Sequence, residues 1–250
     1  MFARITAQIQ YGEDMSESRS KTNLGMDDLS EDMFGLSLRG LRTMWTVFAS
    51  PKKIFEAARS PDWQSYRFTP SLRVVFSILA VITGLRFIWI GPDSALVQST
   101  LLHLLETGAV STEEEARAVT KTILDRYILI FPFAMMLIHF LAGTVLHIWG
   151  KGTSAVLRIR LYFTAVIPNT LLSLLLLMPL STISIEEYSK YSLLVVLVTF
   201  SADLITALRG GVAGKAIWVR IGKALLFAIT SLAVAIISNV IGFNLPVVFA

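Results

Sequence analysis

From Ser71 onward the chain carries five apolar stretches, each close to the length a helix needs to cross a bilayer, and this limits the fold more than any other feature. They run from about Ser71 to Gly91, Tyr127 to Trp149, Leu161 to Leu180, Ser192 to Leu208 and Lys223 to Ile241. A crossing takes about 20 mainly apolar residues. Hydrocarbon offers no water to the backbone, so every N–H and C=O must be paired within the segment, and runs of this length imply helices. The expected fold is all-α: an integral membrane bundle of five transmembrane helices with an N-terminal amphipathic interfacial segment. The fourth run is the shortest and contains Asp203, which leaves its ends the least defined.

Composition agrees. The 250 residues are 54% hydrophobic and only 16% charged, against about 25% charged in an ordinary soluble domain. The deficit begins at Pro70; residues 1–70 hold a soluble-like share of charge. The chain has no cysteine, which excludes disulfides, thiolate metal sites and cysteine nucleophiles. Its net charge of +4 is what basic cytoplasmic loops give a membrane protein, so no nucleic-acid partner is expected. The first residues lack an apolar core followed by a small-residue cleavage site, and no cleavable signal peptide is expected.

Residues 1–33 mix Ser, Asp, Glu, Lys and Arg without apolar period and read as a disordered cytoplasmic tail. Residues 34–70 set Leu36, Leu38, Leu41, Trp45, Val47 and Phe48 beside Arg39, Arg42, Lys52 and Lys53. A basic amphipathic stretch next to a span belongs in the headgroup plane. Ser50-Pro51 predicts a helix start and Arg59 its end, with Pro61 as the stop. Residues 71–242 form the five-span domain, and 243–250 a short external tail. Between the first two spans, Ser94 to Thr107 predicts an amphipathic helix with Val97, Leu101, Leu104 and Leu105 on one face and Gly108 as its stop. Capping boxes at Ser111/Glu114 and Thr112/Glu115 predict a further helix able to run straight into the second span.

Basic residues collect before the first span (Arg39, Arg42, Lys52, Lys53, Arg59, Arg67), after the second (Lys151, Arg158, Arg160) and after the fourth (Arg209, Lys215, Arg220, Lys223). The loop after the third has only Lys190, beside Glu186 and Glu187. Positive residues favour the cytoplasmic side, so the N-terminus is expected inside and the C-terminus outside. Trp89, Tyr127, Tyr188 and Tyr191 would then form an outer aromatic belt, and Tyr66, Trp149, Tyr162 and Trp218 an inner one.

Three fragments carry a resemblance. SPKKIFEAARSPDW stands before the first span, GKGTSAVLRIRLYFTAVIP follows the second, and ALRGGVAGKAIWVRIGKALL follows the fourth. In order, spacing and topology, over roughly residues 43–240, the chain resembles the Yip family, five-span membrane proteins named for interaction with Rab-type GTPases, and its prokaryotic members most. The resemblance implies a membrane protein without an assigned reaction, and a bacterial inner membrane. The Asp-Leu-Tyr-Gly-Pro motif of the eukaryotic branch is absent, so GTPase binding is not expected.

Ionisable residues at membrane depth are functional candidates by default. Arg86 is expected to snorkel outward beside Trp89, the alternative being a pore or ligand role. Asp203 cannot snorkel far; a structural hydrogen bond to a neighbouring helix is expected, the alternative being a proton or cation site. Helix depths put Arg86 and Asp203 on the order of 14 Å apart along the bundle, which argues against a direct bridge. His139 and His147 are expected in interhelical hydrogen bonds. With no cysteine, and His103 on the opposite side, no metal site is expected. Pro132 and Pro168-Asn169 can bend the second and third spans. Ala80 with Gly84, and Ser231 with Ala235, are spaced for close helix approach.

No HExxH, GxSxG, GxxxxGK[ST] or GxGxxG motif occurs. The expectation is a non-enzymatic, cofactor-free membrane protein that organises the bilayer or recruits cytoplasmic or membrane partners through a basic face. Pro51, Lys52, Lys53, Phe55, Trp63, Lys151, Arg158 and Lys215 would make the lipid or partner contacts. The alternative is a small transporter or channel using Asp203, His139 and Arg86.

Overall fold

The computed structural model describes residues 38–63, 67–89 and 94–248. The tail at 1–33, Tyr66 and the Trp89 side chain lie outside the described residues. The elements are α1 (Leu38–Ala49), α2 (Pro51–Arg59), α3 (Ser71–Trp89), α4 (Ala95–Glu106), α5 (Glu113–Val145), α6 (Ala155–Thr182), α7 (Ile185–Thr206), a π-helical turn (Ala207–Gly211) and α8 (Ile217–Val248). Helices α3, α5, α6, α7 with its π turn, and α8 are long and apolar enough to cross a membrane. Their exposed surface carries Phe76, Ile88, Phe133, Leu137, Leu193, Ile229 and Val240, the side chains a lipid-facing wall requires.

The helix starts follow local chemistry. The Ser94, Thr112, Ser154 and Ser184 side chains each accept a backbone N–H three residues on, which satisfies an otherwise orphaned donor. At α5 the working cap is Thr112, and Glu115 returns to the Ser111 N–H at 3.2 Å. Ser50 precedes Pro51 at the start of α2 but makes no side-chain cap. Gly108 ends the connector after α4 with φ +66°, a conformation glycine adopts freely. The α4 stripe folds as expected, with Leu101 buried and Val97, Leu104 and Leu105 half-buried.

Several boundaries differ from the sequence reading. As the caps at Ser111 and Thr112 predict, the second span is continuous with its capping helix and α5 begins at Glu113; it ends at Val145, short of the expected Trp149, which leaves His147 and Trp149 beyond it. The fourth span gains its N-terminal turns from a Ser184/Glu187 capping box. Helix α8 continues to Val248, so most of the expected external tail is helical.

α6 is the central helix. Half of its apolar window is buried, against 17% for α7, and it packs against α1, α2, α3, α4, α5 and α7. Its 161–168 segment is buried on every face. Tyr162 and Phe163 meet His139, Phe140 and Phe227 at ring-centroid separations of 5.4–6.2 Å. Gly143 lets α5 approach α6, since a Cβ there would stand 3.3 Å from the Ile159 Cα and the Tyr162 ring. The expected Ala80/Gly84 contact is absent: both residues are exposed, and nothing lies within 4 Å of where a Gly84 Cβ would be. Close approach is decided by which face of a helix turns inward, not by small-residue spacing alone.

The amphipathic lead-in docks on the bundle. Gly40, Thr43, Met44 and Val47 of α1 face inward, and the Thr43 hydroxyl accepts the Thr69 N–H at 3.0 Å. In α2, Ile54, Phe55, Ala57 and Ala58 are fully buried. The Phe55 ring lies on the π turn, where a Cβ at Gly210 or Gly211 would overlap it, and 5.9 Å from the Trp149 ring. Tyr127, Trp149 and Tyr162 are therefore core residues and not belt residues. Tyr188, Tyr191 and Trp218 are exposed as the belts require.

Candidate functional site

Of the residues expected to contact lipid or partners, Lys52, Lys53, Lys151 and Lys215 are exposed. Pro51, Phe55 and Trp63 are buried and unavailable for such contact. Trp63 adopts φ +51°, rare for a bulky residue. Its ring lies 4.9 Å beneath the Arg160 guanidinium, whose Nη2 donates to the Pro61 carbonyl at 3.2 Å. Arg158 is spent internally: its Nε donates to the Thr144 carbonyl at 2.8 Å and its Nη1 to the Thr153 carbonyl at 3.1 Å. Thr144 lies in the last turn of α5, so Arg158 satisfies a carbonyl that the helix leaves unpaired.

The intramembrane polar residues separate into two linked groups. In the first, Asn169 Nδ2 of α6 donates to Asp203 Oδ2 of α7 at 2.9 Å. Asp203 is 1% exposed, and its Oδ1 has no hydrogen-bond partner among the described residues. The equally buried Ser231 hydroxyl of α8 likewise has no hydrogen-bond partner among the described residues. This is the expected interhelical hydrogen bond, with one carboxylate oxygen left over. His139 is buried, with Nδ1 2.9 Å from the Tyr162 hydroxyl. His147 does not join it: it lies past the end of α5, exposed, with Nδ1 against the Val145 carbonyl.

The second group is built on Arg86. It does not snorkel toward the membrane surface. It turns into the bundle, 4.8 Å over the Phe131 ring and 5.5 Å over the Tyr127 ring. Its Nη1 donates to the Tyr127 hydroxyl at 3.3 Å, which donates to Asn239 Oδ1 at 2.7 Å; Asn239 Nδ2 donates to the Ala235 carbonyl at 2.8 Å. The chain of bonds runs one way, from guanidinium to α8 backbone. It fixes Arg86 and offers no acceptor to its remaining N–H groups. None of the described ion pairs includes Arg86. The reason it turns inward is packing: Tyr127 is pinned by Phe131 at 5.2 Å and Phe243 at 4.2 Å, and it supplies both a hydroxyl and a π face within reach of the cation.

Two cavities meet there. The deeper, about 190 Å³, is lined by Arg86, His139, Asn169, Thr170, Ser231 and Asn239 among apolar neighbours. The outer, about 320 Å³, lies at the end of the bundle away from α1 and α2, walled by the start of α4 and the far halves of α6, α7 and α8. Arg86, Ser173, Leu177 and Asn239 line both. Arg86, His139 and Asn169 thus share one cavity, with Asp203 bonded behind Asn169. No direct Arg86–Asp203 bridge is present, as the helix depths predict.

Tyr127, Tyr162, Ser231 and Asn239 were not singled out by sequence as site residues. Asn239 was visible as a polar residue within an apolar run, but its partner Tyr127 sits on another helix. Among the described residues no group of His, Asp and Glu is arranged to hold a metal. Compared with protein-family models, with curated proteins and with solved structures, the chain matches none.

Proposed function

We propose that the protein is a non-enzymatic, Yip-like protein of a bacterial inner membrane, with its N-terminus cytoplasmic, that organises the bilayer or recruits partners through the basic face of α1 and α2. The observation that carries this reading is the two-sided character of α1. One side docks on the bundle, while Trp45 (74% exposed), Leu38 and Leu41 face outward beside exposed Arg42. A groove of about 430 Å³ runs between α1 and α2, lined by Arg42, Trp45, Lys53, Glu56 and Arg67. An amphipathic helix with outward aromatic and basic residues suits an anionic headgroup layer, where each Lys or Arg contributes about 1 kcal/mol.

The test changes surface residues only, because removing residues 34–68 would also strip Phe55 from the core. Arg42→Glu with Lys53→Glu is purified in native lipid, and its co-purifying proteins and anionic lipids are compared with those of the unaltered chain. Loss of both or either supports the reading. Identical partner and lipid sets sink it.

A second reading, a small transporter, draws on the shared cavity of Arg86, His139 and Asn169, with Asp203 behind. Ion or proton flux into proteoliposomes that falls in Asp203→Asn supports it. Absence of flux under every imposed gradient counts against it.

A further inference from the structure

The outer cavity has the chemistry of a binding site for an amphiphile. One end presents a cation: Arg86, held in place by Tyr127 and Asn239, with guanidinium donors that those two residues do not use. A guanidinium has five N–H donors, and an arginine within an apolar bundle is costly unless paired. Among the described residues all the bonds around it run outward from the cation, so the missing component is an acceptor, and an oxyanion supplies both acceptor atoms and charge. Leu96, Leu176, Leu177, Leu180, Val195 and Phe243 give the wall an apolar stretch, interrupted by Ser94, Ser99, Ser173 and Tyr188. A volume of about 320 Å³ is at the small end of the roughly 300–1,000 Å³ typical of ligand sites, which suits one acyl chain better than two.

We propose that this cavity binds a single-chain anionic amphiphile, with its oxyanion on the Arg86 guanidinium and its chain along Leu176, Leu180 and Val195. The oxyanion can be the carboxylate of a fatty acid or the phosphate of a lysophospholipid; both present charged oxygens at the end of one chain. The proposal rests on neither reading of the preceding subsection. The site lies at the opposite end of the bundle from α1 and α2, and a resident amphiphile binds there whether or not anything is transported.

The experiment measures binding to the intact protein in nanodiscs of neutral lipid, by native mass spectrometry and titration. The probes are oleate, lysophosphatidylglycerol, the uncharged monoolein and inorganic phosphate. One or both anionic amphiphiles should bind at least tenfold more tightly than monoolein and than inorganic phosphate, and the tighter of the two identifies the headgroup. Arg86→Gln should lower that affinity at least tenfold, and Arg86→Lys should restore part of it. Leu180→Asn should weaken binding about fivefold, and it keeps the test open if Arg86→Gln does not fold. Monoolein or inorganic phosphate binding as tightly as the amphiphiles overturns the proposal. So does unchanged affinity in a folded Arg86→Gln or Leu180→Asn variant. Arg42→Glu with Lys53→Glu should leave this binding intact, which separates its failure from that of the basic-face reading.

Discussion

The contact between Phe55 and the π turn can be tested by a cycle of two substitutions. Phe55 is 1% exposed and rests on Gly210 and Gly211, with Trp149 alongside. Phe55→Ala removes a fully buried ring and costs roughly 3–5 kcal/mol where the surroundings cannot collapse. Gly211→Ala inserts a methyl where the Phe55 and Trp149 rings already lie, an overpacking that costs about 1–3 kcal/mol. The two perturbations have opposite sign in volume and share one space. In the double variant the new methyl occupies part of the hole the ring has left. The combined loss should fall short of the sum by about 0.5–3 kcal/mol, whereas independent sites add within about 0.3–0.5 kcal/mol. Unfolding of all four proteins in one lipid nanodisc preparation gives the coupling. Tryptic cleavage at Lys52, Lys53 and Arg59 reports whether α2 has come away. Additive losses with unchanged cleavage in Phe55→Ala would refute the docked arrangement and return Phe55 to the surface.

Other outcomes follow from the same geometry. Asn169→Leu leaves the buried Asp203 carboxyl without its only described hydrogen-bond donor and should destabilise by about 1–3 kcal/mol; Asp203→Asn keeps a side-chain oxygen of the same shape to accept from Asn169 and should cost less, and the reverse order in thermal unfolding would contradict the assignment. In single-tryptophan proteins reconstituted with brominated lipid, Trp45 and Trp218 should be quenched and Trp63 and Trp149 spared, since the first two are 74% and 78% exposed and the others 4% and 1%. Arg158→Ala uncovers the Thr144 carbonyl and should lower stability by about 1–2 kcal/mol while leaving lipid and partner association unchanged; a selective loss of association would place Arg158 at the surface after all.

The sequence by itself determined the five apolar helices, the starts of α3 and α5 and the stripe on α4. Each of these depends on neighbours within a few residues: run length, a Ser or Thr oxygen three residues before an N–H, or apolar period. The helix ends it missed were extended by capping, as at Ala155 and Ile185, or by apolar continuity, as at Val248. Which face of each helix turns inward was decided only by tertiary structure. Lys52 and Phe55 stand three residues apart in one basic amphipathic stretch, yet one is solvated and the other buried, because two glycines brought from residues 210–211 leave room for a ring. Arg86 was legible as a cation near a span end, and snorkelling is the local solution for such a residue. It turns inward because Tyr127, forty-one positions on, and Asn239, on the last helix, supply a hydroxyl, a π face and an anchor. The Asp203–Asn169 pair has the same origin. A polar residue inside an apolar run announces that a partner must exist; only the packing of helices distant in sequence decides which residue it is.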